Sequence, residues 1–307
     1  MDLKQHPILI VDGACGTNLQ EMEIPDTAWD DKEGCNEYLN LTAPDVIQAL
    51  HRSFVEAGAM ILETNTFGAA SIVLAEYGLE EQVDAINGAA VANARAAIGD
   101  TPHCYVAGSL GPTTKLPSLG HIGYDALYAA YEEQLRSLIG AGVDLLIVET
   151  GQDMLQMKIA LVAAFDLLNE LNVDLPVMAS ITIERTGTML VGTDIAAATA
   201  TLEPFPLFSL GLNCATGPAD MISHVRYLSH HWPQRISCIP NQGLPEVVDG
   251  KTMYPLSPAE YATHMTHFVK DFGVSIVGGC CGTTPAHTRA LVAALADVTP
   301  AERSISS

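Results

Sequence analysis

Short apolar runs alternate with amphipathic stretches along almost the whole chain. Eight runs end in Gly, Asn, Thr or an acid: PILIVDGACGT, AMILETNTF, HCYVAGSLGPTT, VDLLIVETG, LPVMASITI, LFSLGLNCATGP, ISCIPNQG and VSIVGGCCGTT. They are rich in Val, Ile and Leu without strict alternation, the pattern of parallel strands buried on both faces. Helix-like segments follow them: APDVIQALHRSFVEAG, LEEQVDAINGAAVANARAAIG, YDALYAAYEEQLRSLIGAG, MLQMKIALVAAFDLLNEL, DIAAATATLEP, GPADMISHVRYLSH, SPAEYATHMTHFVKDFG and TPAHTRALVAALADV. TAPD and SPAE place a hydroxyl residue before a Pro at the first helical position, with an acid in the first turn. AGAM, GAGVD and FGVS place Gly just past a helix end.

Eight strand–helix units in 307 residues predict an α/β fold, a single-domain (β/α)8 TIM barrel over residues 1–307. An open doubly wound sheet is the alternative. The eight-fold count and the lack of a G-x-G-x-x-G after the first run weigh against it. The longest stretch outside the units, Glu21 to Asn40, is expected to form a loop over the barrel top.

In such a barrel the chemistry sits at the C-terminal ends of the strands. The polar residues expected there are Asp12, Glu63 with Asn65, Ser109, Glu149, Thr182 with Glu184, Asn213 with Cys214, Asn241, and Cys280 with Cys281. Alone, the pair in GGCC is open to three readings: buried thiols, a disulfide, or a metal site. The cysteine count is seven, an odd number that argues against a disulfide framework. Cys214 from the sixth run and Cys280 and Cys281 from the eighth point to one mouth, which favours metal. Three sulfurs with one vertex left open suit a catalytic Zn2+, and Gly278, Gly279 and Gly282 allow the backbone to bend there. A substrate thiol taken as fourth ligand loses its proton, so the expected chemistry is attack by a sulfur on an electrophilic carbon. Asp12 and Glu149 suit an ammonium group or acid–base work, with a structural ion pair or a helix cap as the plain alternative. The glycine-rich GACGTN turn offers peptide N–H groups to a carboxylate. Together these features describe a site for an α-amino acid that carries a thiol.

Charge and composition exclude some partners. Charged residues are 16% of the chain, hydrophobic residues 48%, and the net charge is −22. Lys and Arg form no cluster, so neither nucleic acid nor an anionic membrane surface is expected as a partner. No run is long enough to span a bilayer, and the N-terminus lacks the parts of a signal peptide. A cytoplasmic location is expected.

The motifs DGACGTNLQ, CNEYLNLTAPDVIQALHRSFVEAGAMILETNTFGA, GSLGPTT, GVDLLIVET, GLNCATGP, PNQGLP and GGCCGTTPAH occur in order from about Pro7 to Val298. Together they resemble the homocysteine S-methyltransferase family, and most of all the homocysteine-binding barrel of its cobalamin-dependent methionine synthase branch. The resemblance implies methyl transfer to the thiol of homocysteine, giving methionine. It implies zinc ligands at Cys214, Cys280 and Cys281, ammonium-binding carboxylates at Asp12 and Glu149, and backbone contacts to the substrate carboxylate around Gly16 and Thr17. Asn65, Asn213 and Asn241 match polar positions with supporting roles. The implied methyl donor is a methylcorrinoid on a separate protein or module. In that branch folate-binding, cobalamin-binding and reactivation modules follow the barrel, whereas this sequence ends at Ser307. It is thus either a stand-alone enzyme that meets a corrinoid protein or a piece of a longer chain. The alternatives are a transferase using a small donor such as S-methylmethionine or betaine, transfer to another thiol, or a zinc or thiol-binding module without transfer activity.

Two departures stand out. Position 15 is Cys where a small or apolar residue, often Met or Tyr, is expected, and ETGQDMLQMKIAL differs from the usual sequence after the fourth strand. Elsewhere, His264 and His267 are expected on a solvated helix face, and His287 at the surface or beside the site. Cys35, Cys104 and Cys238 are expected as ordinary buried or semi-buried thiols, the last two inside the third and seventh strands.

Overall fold

Each of the eight apolar runs forms a strand, and all eight join one parallel sheet. In the computed structural model, which describes residues 3–244, 246–248 and 251–305, the strands are β1 (Leu9–Ile10), β2 (Ile61–Glu63), β3 (Tyr105–Leu110), β4 (Leu145–Gly151), β5 (Val177–Ile181), β6 (Ser209–Asn213), β7 (Arg235–Ile239) and β8 (Ile276–Val277). Their order around the sheet is sequential, with β1 beside β8. The ring closes through a parallel bridge between Val11 and Ile61, backed by Met60 N donating to Ile10 O at 2.7 Å and Asp12 N to Ile61 O at 2.9 Å. This closure excludes the open doubly wound sheet. The architecture is a (β/α)8 barrel.

The helices follow in step: α1 (Pro44–Ala57), α2 (Val83–Ile98), α3 (Tyr124–Ala141), α4 (Met154–Leu171), α5 (Ile195–Leu202), α6 (Pro218–His231), α7 (Pro258–Phe272) and α8 (Pro285–Leu295). Helix α1 shows why they pack. Its buried residues Ile47, Leu50, His51, Phe54 and Ala57 recur at intervals of three and four, one stripe of a 3.6-residue repeat. Ser257 and Glu260 form a reciprocal capping box at the start of α7. For α1 the cap residue is Ala43, not the expected hydroxyl residue: Thr42 lies one position earlier and donates to Tyr38 O.

Three apolar clusters result among the described residues. The largest lies between strands and helices. A small one gathers Cys35, Ala69, Leu74, Leu79, Val83 and Ile86. The third fills the barrel with Leu9, Val11, Ile61, Tyr105, Ala107, Leu145, Ile147, Met178, Ile239 and Ile276. Side chains alternate along a strand, so this set marks the inward positions. Gly211 on β6 leaves room for β7: a Cβ there would sit 2.0 Å from Ser237 O. No helix among the described residues is long and apolar enough to cross a membrane.

Several details differ from expectation. Glu21 to Asn40 is not a plain loop, since it contains helical turns at Asp26–Trp29 and Asn36–Tyr38. A two-stranded hairpin, Glu246–Val248 with Lys251–Met253, follows β7. His287 is buried (4% exposed) and is not a surface residue; it completes a capping box with Thr284, and its Nε2 lies 3.2 Å from Leu256 O. Cys104 precedes β3 instead of lying within it, while Cys238 is inside β7.

His51 on α1 has a consequence for stability. It is 2% exposed, and burial pushes its imidazole down to about 4. The unfolded chain binds this proton near pH 6.5 and the folded chain does not until pH 4. Stability is therefore full above pH 6.5 and is lost as pH falls through 4, by on the order of 3 kcal/mol. Urea unfolding at pH 7 and pH 5 is expected to show a smaller loss in His51→Leu than in the unmodified protein. Equal losses would contradict the assignment.

Candidate functional site

The inward side-chain rows turn polar at the C-terminal end of the barrel. Two residues beyond Ile61, Ala107 and Ile147 stand Glu63, Ser109 and Glu149, and these line a cavity of about 330 Å³. Asp12, Gly16, Thr17, Asn65, Cys214, Cys280 and Cys281 line it too. Asn213 stands behind that wall. Asn241 is buried but outside the lining, and its Oδ1 has no hydrogen-bond partner among the described residues. Thr182 and Glu184 also lie outside the lining: Thr182 donates to Asn213 O at 2.9 Å, and Glu184 begins a turn.

Cys214, Cys280 and Cys281 converge. Their sulfurs all lie within 4.8 Å of one another, with 4.0 Å between Cys280 Sγ and Cys281 Sγ. Tetrahedral zinc with ~2.3 Å bonds to sulfur sets S···S edges of roughly 3.8 Å, so this donor set fits the ion. Cys281 is held down at about 3 by its contacts with Cys214 and Cys280, and Cys280 is held up by its contacts with Cys214 and Cys281. All seven cysteines are free.

The backbone around the thiols is strained. Cys214 (φ 60) and Ala215 (φ 55) follow one another in the left-handed region, which costs ~1–2 kcal/mol per non-glycine residue. Cys214 N donates to Ile239 O at 3.2 Å and Cys214 O accepts from Thr216 N at 2.7 Å, which hold the thiol toward the mouth. Of the glycines expected to bend the last loop, only Gly282 has a positive φ, +81. Gly278 and Gly279 serve close approach instead: a Cβ would lie 2.7 Å from Val11 Cβ and 2.4 Å from Thr283 Oγ1, respectively.

The carboxylates form a second group. Glu149 sits where the β4–β5 register shifts between Val148 and Gly151, and such bulges re-aim side chains beside sites. Its Oε1 accepts from Ser109 Oγ at 2.6 Å, and its Oε2 from Asn213 Nδ2 at 3.1 Å. Asn213 also accepts from Thr150 N at 2.9 Å and Ser180 Oγ at 2.7 Å. It thus fixes Glu149 and the left-handed Thr150 (φ 53) together. Burial pushes Glu149 up to about 7. Burial also raises Asp12 well above the carboxylate range, helped by the Glu149 charge and opposed by the hydrogen bond from Glu63 N.

The covering segment completes the wall. Asn36 and Glu37 line the cavity. Asn65 Nδ2 donates to Asn36 O at 2.8 Å, and Asn40 Nδ2 donates to Asn65 O at 2.7 Å. Asn65 Oδ1 accepts from Cys15 Sγ at 3.4 Å. Asn65 is therefore a clamp between β2 and the segment. Cys15 lines the cavity as a thiol whose ionisation is pushed up by burial and the nearby acids. Thr17 Oγ1 accepts from Gly282 N at 3.1 Å, tying the first loop to the last.

Residues 9–295 match the homocysteine S-methyltransferase family. The chain belongs to this family. It is similar to methionine synthase of Mycobacterium tuberculosis, 42% identical over 310 residues, covering 100% of this chain and 26% of that protein. Its likeness to methionine synthase of Mycobacterium leprae is 43% over 293 residues, covering 94% of this chain and 24% of that one. The chain thus spans about a quarter of the length of these relatives. Among solved structures it is similar to the homocysteine methyltransferase MmuM from Escherichia coli. The oxidized form gives a TM-score of 0.74 at 25% identity, covering 95% of this chain and 97% of that one. The metallated form gives 0.72 at 26%, with the same coverage.

Within this family member the cavity also holds Glu37, Thr150, His51 and Phe67, which sequence reasoning did not single out. Glu63 was placed only as a strand end. Strand parity could have singled it out, because Glu63 continues the inward row of Ile61. Glu37 carried no local signal, since its place depends on how the covering segment folds back.

Proposed function

We propose that this chain catalyses methyl transfer to the thiol of homocysteine, giving methionine, with zinc held by Cys214, Cys280 and Cys281. The observation that carries the reading is the meeting of three thiols and a set of buried carboxylates in one cavity. Zinc bound to the three sulfurs would keep a substrate sulfur deprotonated at neutral pH. The chain's own residues orient the amino acid. Asp12 and Glu149 face its ammonium, and peptide N–H groups around Gly16 and Thr17 face its carboxylate. Ser109 and Asn213 hold the Glu149 carboxylate in place, while Asn65 keeps the covering segment closed against water.

The methyl donor in this reading is a methylcorrinoid carried by another protein or module. The order of motifs and the likeness to methionine synthases support it. Three free thiols at one site suit a reducing compartment such as the cytoplasm. The test offers zinc-loaded protein and homocysteine with one of three donors: methylcobalamin, a methylated corrinoid protein, or S-methylmethionine. Methionine is expected with a corrinoid donor. Methionine only from S-methylmethionine would overturn the donor, and none from any donor would overturn the transfer.

A further inference from the structure

The cavity contains more acid than the two carboxylates assigned to the ammonium. Glu63 ends β2 and follows the inward row of Ile61. Its Oε1 is buried with no hydrogen-bond partner among the described residues, and so is Oδ1 of Asp12, a residue 3% exposed. The two side chains are linked, because Asp12 Oδ2 accepts from Glu63 N at 3.2 Å. Glu149 is different: both of its oxygens already accept hydrogen bonds, from Ser109 and Asn213. Glu37, the other acid in the lining, accepts from Gly68 N at 2.7 Å and from Cys35 Sγ at 3.9 Å, so the buried carboxylate oxygens without a partner are on Asp12 and Glu63.

Buried carboxylate oxygens without donors are costly unless a ligand supplies them. The lining contains no Lys or Arg to do so. Among the described residues only the three cysteines are grouped closely enough to hold a metal ion, so these acids do not form a second metal site. Burial and the charges of Glu149 and Asp12 push Glu63 well above the carboxylate range, and a cation between them would relieve that repulsion. An ammonium offers three N–H donors and one positive charge, a match for the unpartnered oxygens of Asp12 and Glu63, which line the same cavity as Glu149.

We infer that Glu63 is a direct acceptor for the substrate's α-ammonium and a specificity-determining residue, which makes the site reject thiols lacking that group. The inference rests on the proposed function only in taking an amino-acid thiol as the ligand. The discrimination has a simple origin. A thiol acid without the ammonium leaves Asp12 and Glu63 buried and unpaired, whereas homocysteine satisfies both.

The test is calorimetric titration of zinc-loaded protein, which needs no methyl donor. The two probes are homocysteine and 4-sulfanylbutanoate, which has the same thiol and carboxylate but no ammonium. The unmodified protein is expected to prefer homocysteine strongly. Glu63→Gln keeps the shape and removes the charge. It is expected to weaken homocysteine binding roughly 30- to 300-fold and to leave 4-sulfanylbutanoate unchanged or tighter. Glu63→Asp is expected to recover part of the preference. Zinc content and thermal midpoint near those of the unmodified protein show that the variant is folded and loaded. If Glu63→Gln weakens both probes equally, or neither, the assignment is overturned. Unmodified protein that prefers homocysteine but makes no methionine would overturn the transfer reaction and keep the ammonium seat. Unmodified protein that binds neither probe overturns both.

Discussion

Cys280→Ala protein is expected to emerge from dialysis against a mild chelator with under about 0.1 zinc per chain, against about one for the unmodified protein. The three sulfurs lie within 4.8 Å of one another. Removing one leaves two thiols, and no other group among the described residues is close enough to replace it. Loss of a mere outer partner of a metal ligand costs about 10–100-fold in affinity or activity. Loss of a ligand itself should exceed that, so methyl transfer is expected to fall by more than about 100-fold. The fold should survive, because Cys280 only packs against the edge of the barrel core. The measurements are metal content, methionine formation and thermal midpoint on one preparation. Full zinc retention would remove Cys280 from the metal site.

Gly211→Ala is expected to have the largest effect on stability. The added Cβ would meet Ser237 O and Oγ at 2.0 Å, and the first of these is backbone in the neighbouring strand. Relief requires β6 and β7 to move apart across Gly211 and Ser237, which are register partners. Overpacking of this kind costs about 3 kcal/mol or more when backbone must shift. The displacement also reaches the site, because β6 runs directly into Cys214. The surviving folded protein should therefore bind zinc less tightly. Gly88→Ala is the matched control, since a Cβ at this α2 position meets nothing within 4 Å. It should be neutral or stabilising by up to about 1 kcal/mol. Urea unfolding of both variants checks the contrast, and equal stability of the two would contradict it.

The elements of the fold were legible because their signals are local. A buried parallel strand reads as a Val/Ile/Leu run, and an outer helix as a 3.6-residue stripe; each of the eight runs and eight helical segments became an element. The hairpin at Glu246–Val248 and Lys251–Met253 escaped a search for long apolar runs. His287 was expected at the surface or beside the site; its buried place against Leu256 and Tyr261 joins residues 31 and 26 positions apart, which no local pattern records.

By itself, the sequence determined the number and order of strand–helix units, hence the barrel, and the chemical types at the strand ends: three thiols, several acids and three asparagines. These follow from side-chain chemistry, from continuous apolar runs and from a 3.6-residue period. Only the tertiary structure decided which of those groups meet. It drew Cys214 to Cys280 and Cys281, set Asn213 against Glu149, and left Asn241 outside the cavity. It also left Asp12 and Glu63 with unshared oxygens. The physical reason is that closing the ring fixes distances between residues far apart in the chain. Bulges and left-handed residues such as Thr150 and Cys214 then rotate single side chains in ways that no periodic pattern records.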